Sequence, residues 1–216
     1  MELGKRSCSA LIIALGFLAG VKAAVAKPLS YVGGTMAMIE NDETGNTLSL
    51  DYTFSPRFAA ALYAKREIGM DHEYTAVGPQ LNALVKRWNA ADGQGNIFWM
   101  GGTGAAVRSG SDRFAAWTSV LADYETRRVF GSYEARVMYV QGLEKSFWQR
   151  ARVGVAPYLA NYDDLNTWFM IQVDHHPEKR HATTVTPLVR LFYKTVLIEA
   201  GISTRGTPMF NLVKQF

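Results

Sequence analysis

The sequence predicts an all-β chain, folded as a transmembrane antiparallel β-barrel of about twelve strands. Three observations lead to this prediction. Apolar and polar residues alternate over nearly the whole chain, the alternating segments are even in number, and aromatic residues collect at one end of the segments. Alternation with period two gives each strand one apolar and one polar face. The segments are near the ~9–11 residues that a tilted membrane strand requires, or somewhat longer.

The first 26 residues have the layout of a secretory signal peptide. Two basic residues at 5–6 precede an apolar run over 10–21, and a small-residue triplet ends at Ala26. The run is shorter than the ~20 residues of a spanning helix and is interrupted by glycines. We therefore predict cleavage after Ala26 and an outer-membrane barrel domain over 27–216. Cys8, the single cysteine, would leave with the signal peptide, so no disulfide is expected in the mature chain.

Charge and hydropathy exclude two classes of protein. The formal net charge is +4, of which the signal segment supplies +2 (three basic residues minus one acidic), leaving +2 for the mature part. The basic character of the whole chain is therefore no argument for a nucleic-acid partner. No mature stretch approaches the ~18 uninterrupted apolar residues of a membrane helix, so any crossing of a membrane must be made by strands.

The strands follow one another with the same two-faced pattern. In NTLSLDYTF, for example, the apolar face begins at Leu48 and the polar face includes Asp51. On this basis we predict strands at 30–40, 47–54, 57–67, 74–88, 96–108, 113–125, 128–140, 149–161, 166–175, 182–193, 195–204 and 209–216. Ten strands is the alternative, because Pro79, Pro157 and Pro187 fall inside these segments and a closed barrel has no edge for a missing N–H.

Connections and aromatic residues distinguish this barrel from a soluble β-sandwich, which also alternates. If the first strand runs outward, the connections SPR, NAADGQG, ETR, DDLN and YKT face the periplasm and are mostly tight. The alternate connections are more charged and generally longer, as is typical of outer-membrane barrels. Aromatic rings beside the periplasmic turns predict an interfacial girdle. These rings belong to Phe54, Phe58, Trp88, Trp99, Tyr124, Tyr162, Trp168, Tyr193 and Phe216.

The chain therefore resembles the Gram-negative outer-membrane β-barrel proteins. The resemblance is carried by the signal peptide, the alternating segments and the last strand, PMFNLVKQF, which places Phe210, Leu212 and the terminal Phe216 on one face. It implies that outer-membrane lipid surrounds the barrel. It also implies that the barrel assembly machinery reads the last strand as its assembly signal, and that this strand closes against the first. Lys214 departs from the pattern, although a lysine near the rim can extend its amine to the headgroups. The resemblance names no narrow family.

Charged residues on the polar faces point into the barrel. These predicted lumen-lining residues are Asp51, Lys86, Arg108, Asp123, Glu134, Arg136, Arg152, Arg190, Lys194 and Glu199. A dry interior would cost several kcal/mol for each charge that is left unpaired, so the interior is either wet or laced with salt bridges. A wet interior predicts a narrow porin-like channel for a small solute, with a mixed-charge and slightly positive lumen. A salt-bridged interior predicts a non-conducting structural or accessory barrel. The sequence leaves both open.

The remaining chemical motifs are weak. His72, His175, His176 and His181 lie in predicted outer loops and are candidate ligands for a transition metal, although their spacing matches no specific motif. A lipid-acting hydrolase would need a serine close to a histidine near the outer rim, and no serine follows a histidine at short spacing. The glycines of WMGGTGAAV precede no helix, so a strand is favoured over a phosphate loop. We therefore predict neither an enzyme nor a cofactor.

Overall fold

The computed structural model describes residues 27–68, 73–179 and 181–216, which form one closed antiparallel β-barrel. Each strand pairs with its neighbours in sequence, and the last strand pairs with the first. This confirms the all-β barrel and its twelve strands, and it excludes the ten-stranded alternative. None of the described residues forms a helix long and apolar enough to cross a membrane. The predicted signal peptide, residues 1–26, lies outside the described residues.

The strands agree with the predicted segments, with one exception. They are β1 (Thr35–Asp42), β2 (Gly45–Ser55), β3 (Phe58–Ile68), β4 (Glu73–Asn89), β5 (Gly93–Arg108), β6 (Ser111–Thr126), β7 (Val129–Val140), β8 (Glu144–Val155), β9 (Asn166–His175), β10 (Thr183–Tyr193), β11 (Val196–Ile202) and β12 (Pro208–Gln215). The exception is β8, which was predicted at 149–161. A tight turn precedes it, where Gly142 adopts a φ of 64°. The predicted long outer loop is therefore a turn, and the longer connection covers 156–165 instead.

The prolines fit the barrel without changing the strand count. Pro157 lies beyond the end of β8. Pro79 pairs with β3, but the pairing of β4 with β5 skips from Val77 to Gln80. Pro187 pairs with β9, while the pairing of β10 with β11 begins only at Leu188. Each strand proline therefore lies where the ladder to one neighbouring strand is interrupted or has ended, as the missing N–H requires.

The two faces of the strands have opposite chemistry. On β2, Leu48 and Tyr52 are exposed on the outer surface, whereas Ser49, Asp51 and Thr53 are buried inside the barrel. Large apolar side chains are exposed in the same way on every strand from β1 to β12. Exposure of so large an apolar surface to water is unfavourable for a soluble monomer, whereas the hydrocarbon of a bilayer matches this surface. Closure of the barrel pairs the strand backbones without leaving an edge in lipid.

The described ends of the chain meet at one rim, which we name the terminal end; the opposite rim is the distal end. Met36 lies opposite Gln215 and Asn41 opposite Phe210, so β12 closes the barrel against β1. The backbone N–H of Phe216 also donates to the carbonyl of Thr35, at 2.9 Å. Of the proposed assembly signal, Phe210 and Phe216 are exposed on the outer face and Leu212 is half-buried there.

One aromatic residue, Trp168, and one charged residue, Lys194, lie elsewhere than the sequence predicts. Trp168 does not join the girdle, because it lies inside the barrel with Phe130, Met170 and Leu188 in an apolar cluster. Lys194 does not point into the lumen. It occupies the turn between β10 and β11 with a φ of 53°, and its side chain is 47% exposed. Alternation holds only inside a strand, so it does not predict the direction of a turn residue.

Candidate functional site: the barrel interior

The interior of the barrel holds a cavity of about 110 Å³ at its middle. Its charged lining comes from opposite sides of the barrel and consists of Glu40, Asp123, Glu134, Arg136, Arg150, Arg152, Arg190 and Glu199. Four arginines therefore face four carboxylates around one small space. Apolar side chains, among them Met38, Leu121 and Phe130, complete the wall. The cavity wall therefore carries charges of both signs, and these charges produce an electric field across the barrel.

Glu199 on β11 is the centre of one buried cluster. Its carboxylate accepts hydrogen bonds from Arg190 Nε at 2.6 Å, from Arg152 Nη1 at 3.2 Å and from Asn211 Nδ2 at 2.7 Å. Both Glu199 and Arg190 are only 2% exposed. The guanidinium of Arg190 also lies 4.7 Å from the centre of the Phe130 ring. A carboxylate with three donors around it is compensated for its burial, which a lone charge would not be.

Arg150 on β8 forms a second cluster that reaches across the lumen. Its Nε donates to Asp174 on β9 and its Nη2 to Asp42 on β1, each at 2.7 Å, and Nη1 lies 3.5 Å from Glu40. Strands β8 and β1 are separated by four strands along the shorter path around the barrel. The side chain therefore links opposite walls. The ring of Trp148 supports its guanidinium at 4.5 Å.

Arg136 on β7 makes a similar link to β3. Its Nη1 donates to the hydroxyl of Tyr63 at 2.6 Å, and its Nη2 donates to Glu134 at 3.0 Å. The guanidinium lies 5.4 Å from the ring centre of Tyr63 and 5.6 Å from that of Trp148. These aromatic faces surround a cation whose Nε has no hydrogen-bond partner among the described residues, and cation–π contacts partly replace that bond.

Further contacts narrow the distal end. Glu67 on β3 pairs with Lys65 Nζ at 2.8 Å and with Lys179 Nζ at 3.2 Å, and Lys179 belongs to the connection between β9 and β10. Glu43, in the first turn, accepts from the hydroxyl of Thr184 on β10 and lies 3.5 Å from Arg205. A loop and two turns are thus tied to the walls by ion pairs and hydrogen bonds.

The terminal end carries carboxylates that are held by amides and hydroxyls. Asp51 accepts from Ser49 at 2.8 Å and from Asn82 at 2.5 Å. Asp123 accepts from Asn96 at 2.7 Å. Hydrogen bonds of this kind stabilise an ionised carboxylate without cancelling its charge. The terminal end of the lumen is therefore acidic, except where a basic side chain contacts these carboxylates.

Alternation places most of the predicted lumen residues correctly on the inner face. Asp51, Asp123, Glu134, Arg136, Arg152, Arg190 and Glu199 all point into the barrel, and Arg108 is in phase with the buried Ala106 at the end of β5. Whether these residues line a conducting lumen stays a prediction. The sequence analysis missed Lys65, Glu67, Arg150 and Asp174. Arg150 was detectable, since it shares the phase of Arg152.

Lys86 is the lumen residue that the structure contradicts. The pairing of β4 with β5 shifts between Leu84 and Lys86, so Val85 is an extra residue in β4. Val85 and Lys86 are consequently both exposed on the outer side. Arg87 takes the inward position, where its Nε donates to Asn96 at 2.6 Å. A bulge of one residue reverses the two faces of a strand from that point on.

The histidines do not converge on one site. His176 is buried, His181 is exposed and His72 lies outside the described residues. His175 Nδ1 contacts the hydroxyl of Thr183 at 3.0 Å, on the adjacent strand. His175 is half-buried at the end of β9, whereas His176 is buried in the connection that follows it. Among the described residues no three histidine, cysteine or acidic side chains are arranged to hold a metal ion. The described residues also give His175 no carboxylate partner of the kind that orients a catalytic histidine.

The fold and the interior define the class of protein. A closed antiparallel barrel with an apolar outer surface and a charged interior is built for lipid outside and polar groups inside. The chain is a β-barrel protein of the membrane-spanning class.

The chain matches no protein-family model, and the search of curated proteins gave no match. Among solved structures it is similar to the KdgM porin, with a TM-score of 0.47 and 12% identity over 85% of this chain and 98% of that chain. It is also similar to a loop L8 deletion mutant of OmpT, an outer membrane protein of Vibrio cholerae. There the TM-score is 0.31, at 10% identity over 85% of this chain and 97% of that chain. Neither likeness bears on a solute for this chain.

Proposed function

We propose that the protein is a narrow porin-like channel for small solutes, with a lumen of mixed charge. The observation that carries the proposal is the cavity at mid-height, lined by four arginines and four carboxylates. A barrel that served only as a scaffold could fill this space with apolar side chains, which would avoid the cost of burying eight charges. Charged walls around a small space are instead suited to ions and small polar molecules that exchange water for protein contacts.

The size of the cavity limits the solute. About 110 Å³ is smaller than the ~150 Å³ of an engineered protein cavity that admits benzene. The links from Arg150 to Asp42 and from Arg136 to Tyr63 divide the lumen further. Inorganic ions and solutes of a few heavy atoms therefore fit this lumen, and larger ones require these links to open. The four arginines and four carboxylates balance the formal charge around the cavity, whereas the sequence predicts a slightly positive lumen.

A second candidate is a non-conducting envelope barrel, and one observation favours it. Side chains from β8 and β7 contact side chains on β1 and β3, so ion pairs and hydrogen bonds cross the lumen. If these links never open, the barrel is a plugged cylinder whose interior serves stability. The two candidates differ in one measurable property, which is conductance.

The test is planar-bilayer recording of the purified protein with a matched pair of variants on β7. Ser132→Phe fills the cavity that Ser132 lines, whereas Tyr133→Phe changes the neighbouring residue, which is exposed on the outer face. The channel predicts small, discrete conductance steps that Ser132→Phe reduces and Tyr133→Phe leaves unchanged. Absence of steps in the native protein contradicts the channel and favours the plugged barrel. Steps that Ser132→Phe does not alter would place the pathway elsewhere.

A further inference from the structure

The first described residues, 27–34, form a segment that enters the terminal mouth of the barrel, and we name it the N-terminal strap. The strap precedes β1, yet Lys27 reaches β5 and β6. Strands β1 and β6 are separated by β2, β3, β4 and β5 along the shorter path around the barrel. The strap therefore crosses the mouth from one wall nearly to the opposite wall.

Hydrogen bonds to β2 and β4 hold the strap in place. The backbone N–H of Ser30 donates to Thr53 Oγ1 at 3.0 Å, and that of Gly33 donates to the carbonyl of Thr53 at 2.7 Å. Gly33 has a φ of 84°, a turn conformation that favours glycine and that directs the preceding residues inward. Deeper in the barrel, the carbonyl of Pro28 accepts from Asn82 Nδ2 at 3.2 Å.

The inner end of the strap closes the central cavity on the side of the terminal end. Pro28 is buried and contributes to the cavity lining. A solute that moves between the cavity and the terminal end must therefore pass the strap. Displacement of the strap would break these few hydrogen bonds and no strand pairing, whereas displacement of a strand would open the barrel.

Lys27 forms ion pairs with the acidic side chains at the end of β6. Its Nζ lies 3.5 Å from Glu125 Oε2 and 3.9 Å from Asp123 Oδ1, and it donates to Gln94 Oε1 at 3.2 Å. The side chain of Lys27 is only 11% exposed. One ammonium group is thus placed against two carboxylates inside the mouth. Without it, the mouth would present those carboxylates directly to the lumen.

We propose that the strap is a constriction of the terminal mouth and that Lys27 sets the ion preference there. The proposal rests on the channel function proposed above and adds its selectivity and regulation. With the strap seated, Lys27 offsets the charge of Asp123 and Glu125 and narrows the mouth. With the ammonium removed, the mouth becomes acidic and attracts cations, because fixed charges in a narrow lumen set the local ion concentration.

The test compares Lys27→Gln with Lys194→Gln in planar bilayers. Both changes remove one positive charge near the same rim, but Lys194 lies in an exposed turn, where it pairs with the exposed Asp163 at 3.6 Å. Mass measurement first establishes that each variant is processed like the native protein. We expect Lys27→Gln to raise the cation-to-anion permeability ratio about twofold or more, and Lys194→Gln to leave it unchanged. Equal ratios in the native protein and Lys27→Gln overturn the inference, while the conductance itself still supports the channel.

A second measurement does not depend on conductance. In the folded protein, an amine-reactive reagent should label Nζ of Lys27, distinguished by mass from the α-amine that cleavage after Ala26 creates, several-fold more slowly than Nζ of Lys194, because the side chain of Lys27 is enclosed by the mouth and that of Lys194 is 47% exposed. The double change Asp123→Asn and Glu125→Gln should accelerate labelling of Lys27 alone. Equal labelling of the two lysines in the native protein overturns the seated strap. Failure of every variant to conduct overturns the channel and with it any role of Lys27 in selectivity.

Discussion

Arg150 and Asp42 join opposite walls of the barrel through a hydrogen bond of 2.7 Å between Nη2 and Oδ2. The link depends on closure of the barrel, because β1 and β8 approach each other only across its lumen. It also connects the first turn region to the distal half of β8. Interactions that span a lumen in this way stiffen the cylinder and restrict what can pass through it. The free energy needed to break these interactions determines whether the barrel is an open channel or a plugged one.

Removal of the Arg150 side chain should strongly destabilise the barrel. Arg150→Met leaves Asp42, Asp174 and Glu40 without their shared cation, at an expected cost of about 3–5 kcal/mol. Arg66→Met is the matched control, because Arg66 pairs with Glu73, both side chains are more than half exposed, and exposed pairs contribute about 0–1 kcal/mol. Urea unfolding in detergent measures both. Equal losses in the two variants would mean that the interior is hydrated as freely as the surface.

The terminal ring should be required for assembly. Deletion of Phe216, or Phe216→Asp, removes the exposed aromatic at the end of the closing strand. We expect the protein to stall in the periplasm or to be degraded, because the last strand carries the proposed assembly signal. Tyr162→Asp is the control, since Tyr162 is an exposed aromatic in the connection 156–165, outside any strand. Normal amounts of heat-modifiable Phe216→Asp protein in the outer-membrane fraction would contradict this role.

Adjacent residues of β7 test the assignment of the two faces. Val137→Arg places a charge toward lipid and should cost about 2–4 kcal/mol near the membrane midplane. Arg136→Ala removes a side chain that contacts Tyr63 and Glu134 inside the barrel. Membrane fractionation should therefore reveal impaired insertion for Val137→Arg and normal insertion for Arg136→Ala. The reverse order would require the inner and outer faces to be exchanged.

A pH dependence should follow from His176, which lies in the connection after β9. Burial, together with the nearby ammonium groups of Lys179 and Lys65, lowers the pKa of His176 from 6.5 to about 3. Between these values the unfolded chain binds a proton that the folded chain does not. The free energy of unfolding should therefore fall as pH decreases below 6.5, by about 1.4 kcal/mol per pH unit from this group.

His176→Phe removes the titrating ring and retains an aromatic beside Trp148, whose ring centre lies 6.0 Å from that of His176. Unfolding free energies measured from pH 7 to pH 4 should decline less steeply in this variant than in the native protein. His181→Phe, at an exposed position, should follow the native curve. Parallel curves for all three proteins would place His176 in water.

The sequence predicts the barrel well because alternation is a local property, but it predicts the interior only in part. Asp51 and Glu199 were assigned to the lumen from their phase alone. Phase alone also assigns Lys86 to the lumen, but wrongly, because the extra residue Val85 resets the phase of β4 and leaves no mark in the pattern. The start of β8 was missed since its charged residues, such as Lys145, read as a loop. Pairs such as Arg150 and Asp42 depend on the circumference of the barrel, which no local pattern encodes.

The buried pair of Glu199 and Arg190 separates the channel from the plugged barrel. The two side chains are 2.6 Å apart and both line the central cavity. Glu199→Gln leaves Arg152 and Arg190 without their carboxylate, and Arg190→Gln leaves Glu199 with one cation fewer. In a channel these changes should shift ion preference in opposite directions, toward anions for Glu199→Gln and toward cations for Arg190→Gln, because each alters the sign of the field at the same height. In a plugged barrel neither variant conducts, and both lose stability, because a buried charge is left with fewer partners. Reversal potentials in a salt gradient and urea unfolding of the same two preparations measure both quantities. Shifts in the same direction would mean that conducted ions do not pass the central cavity.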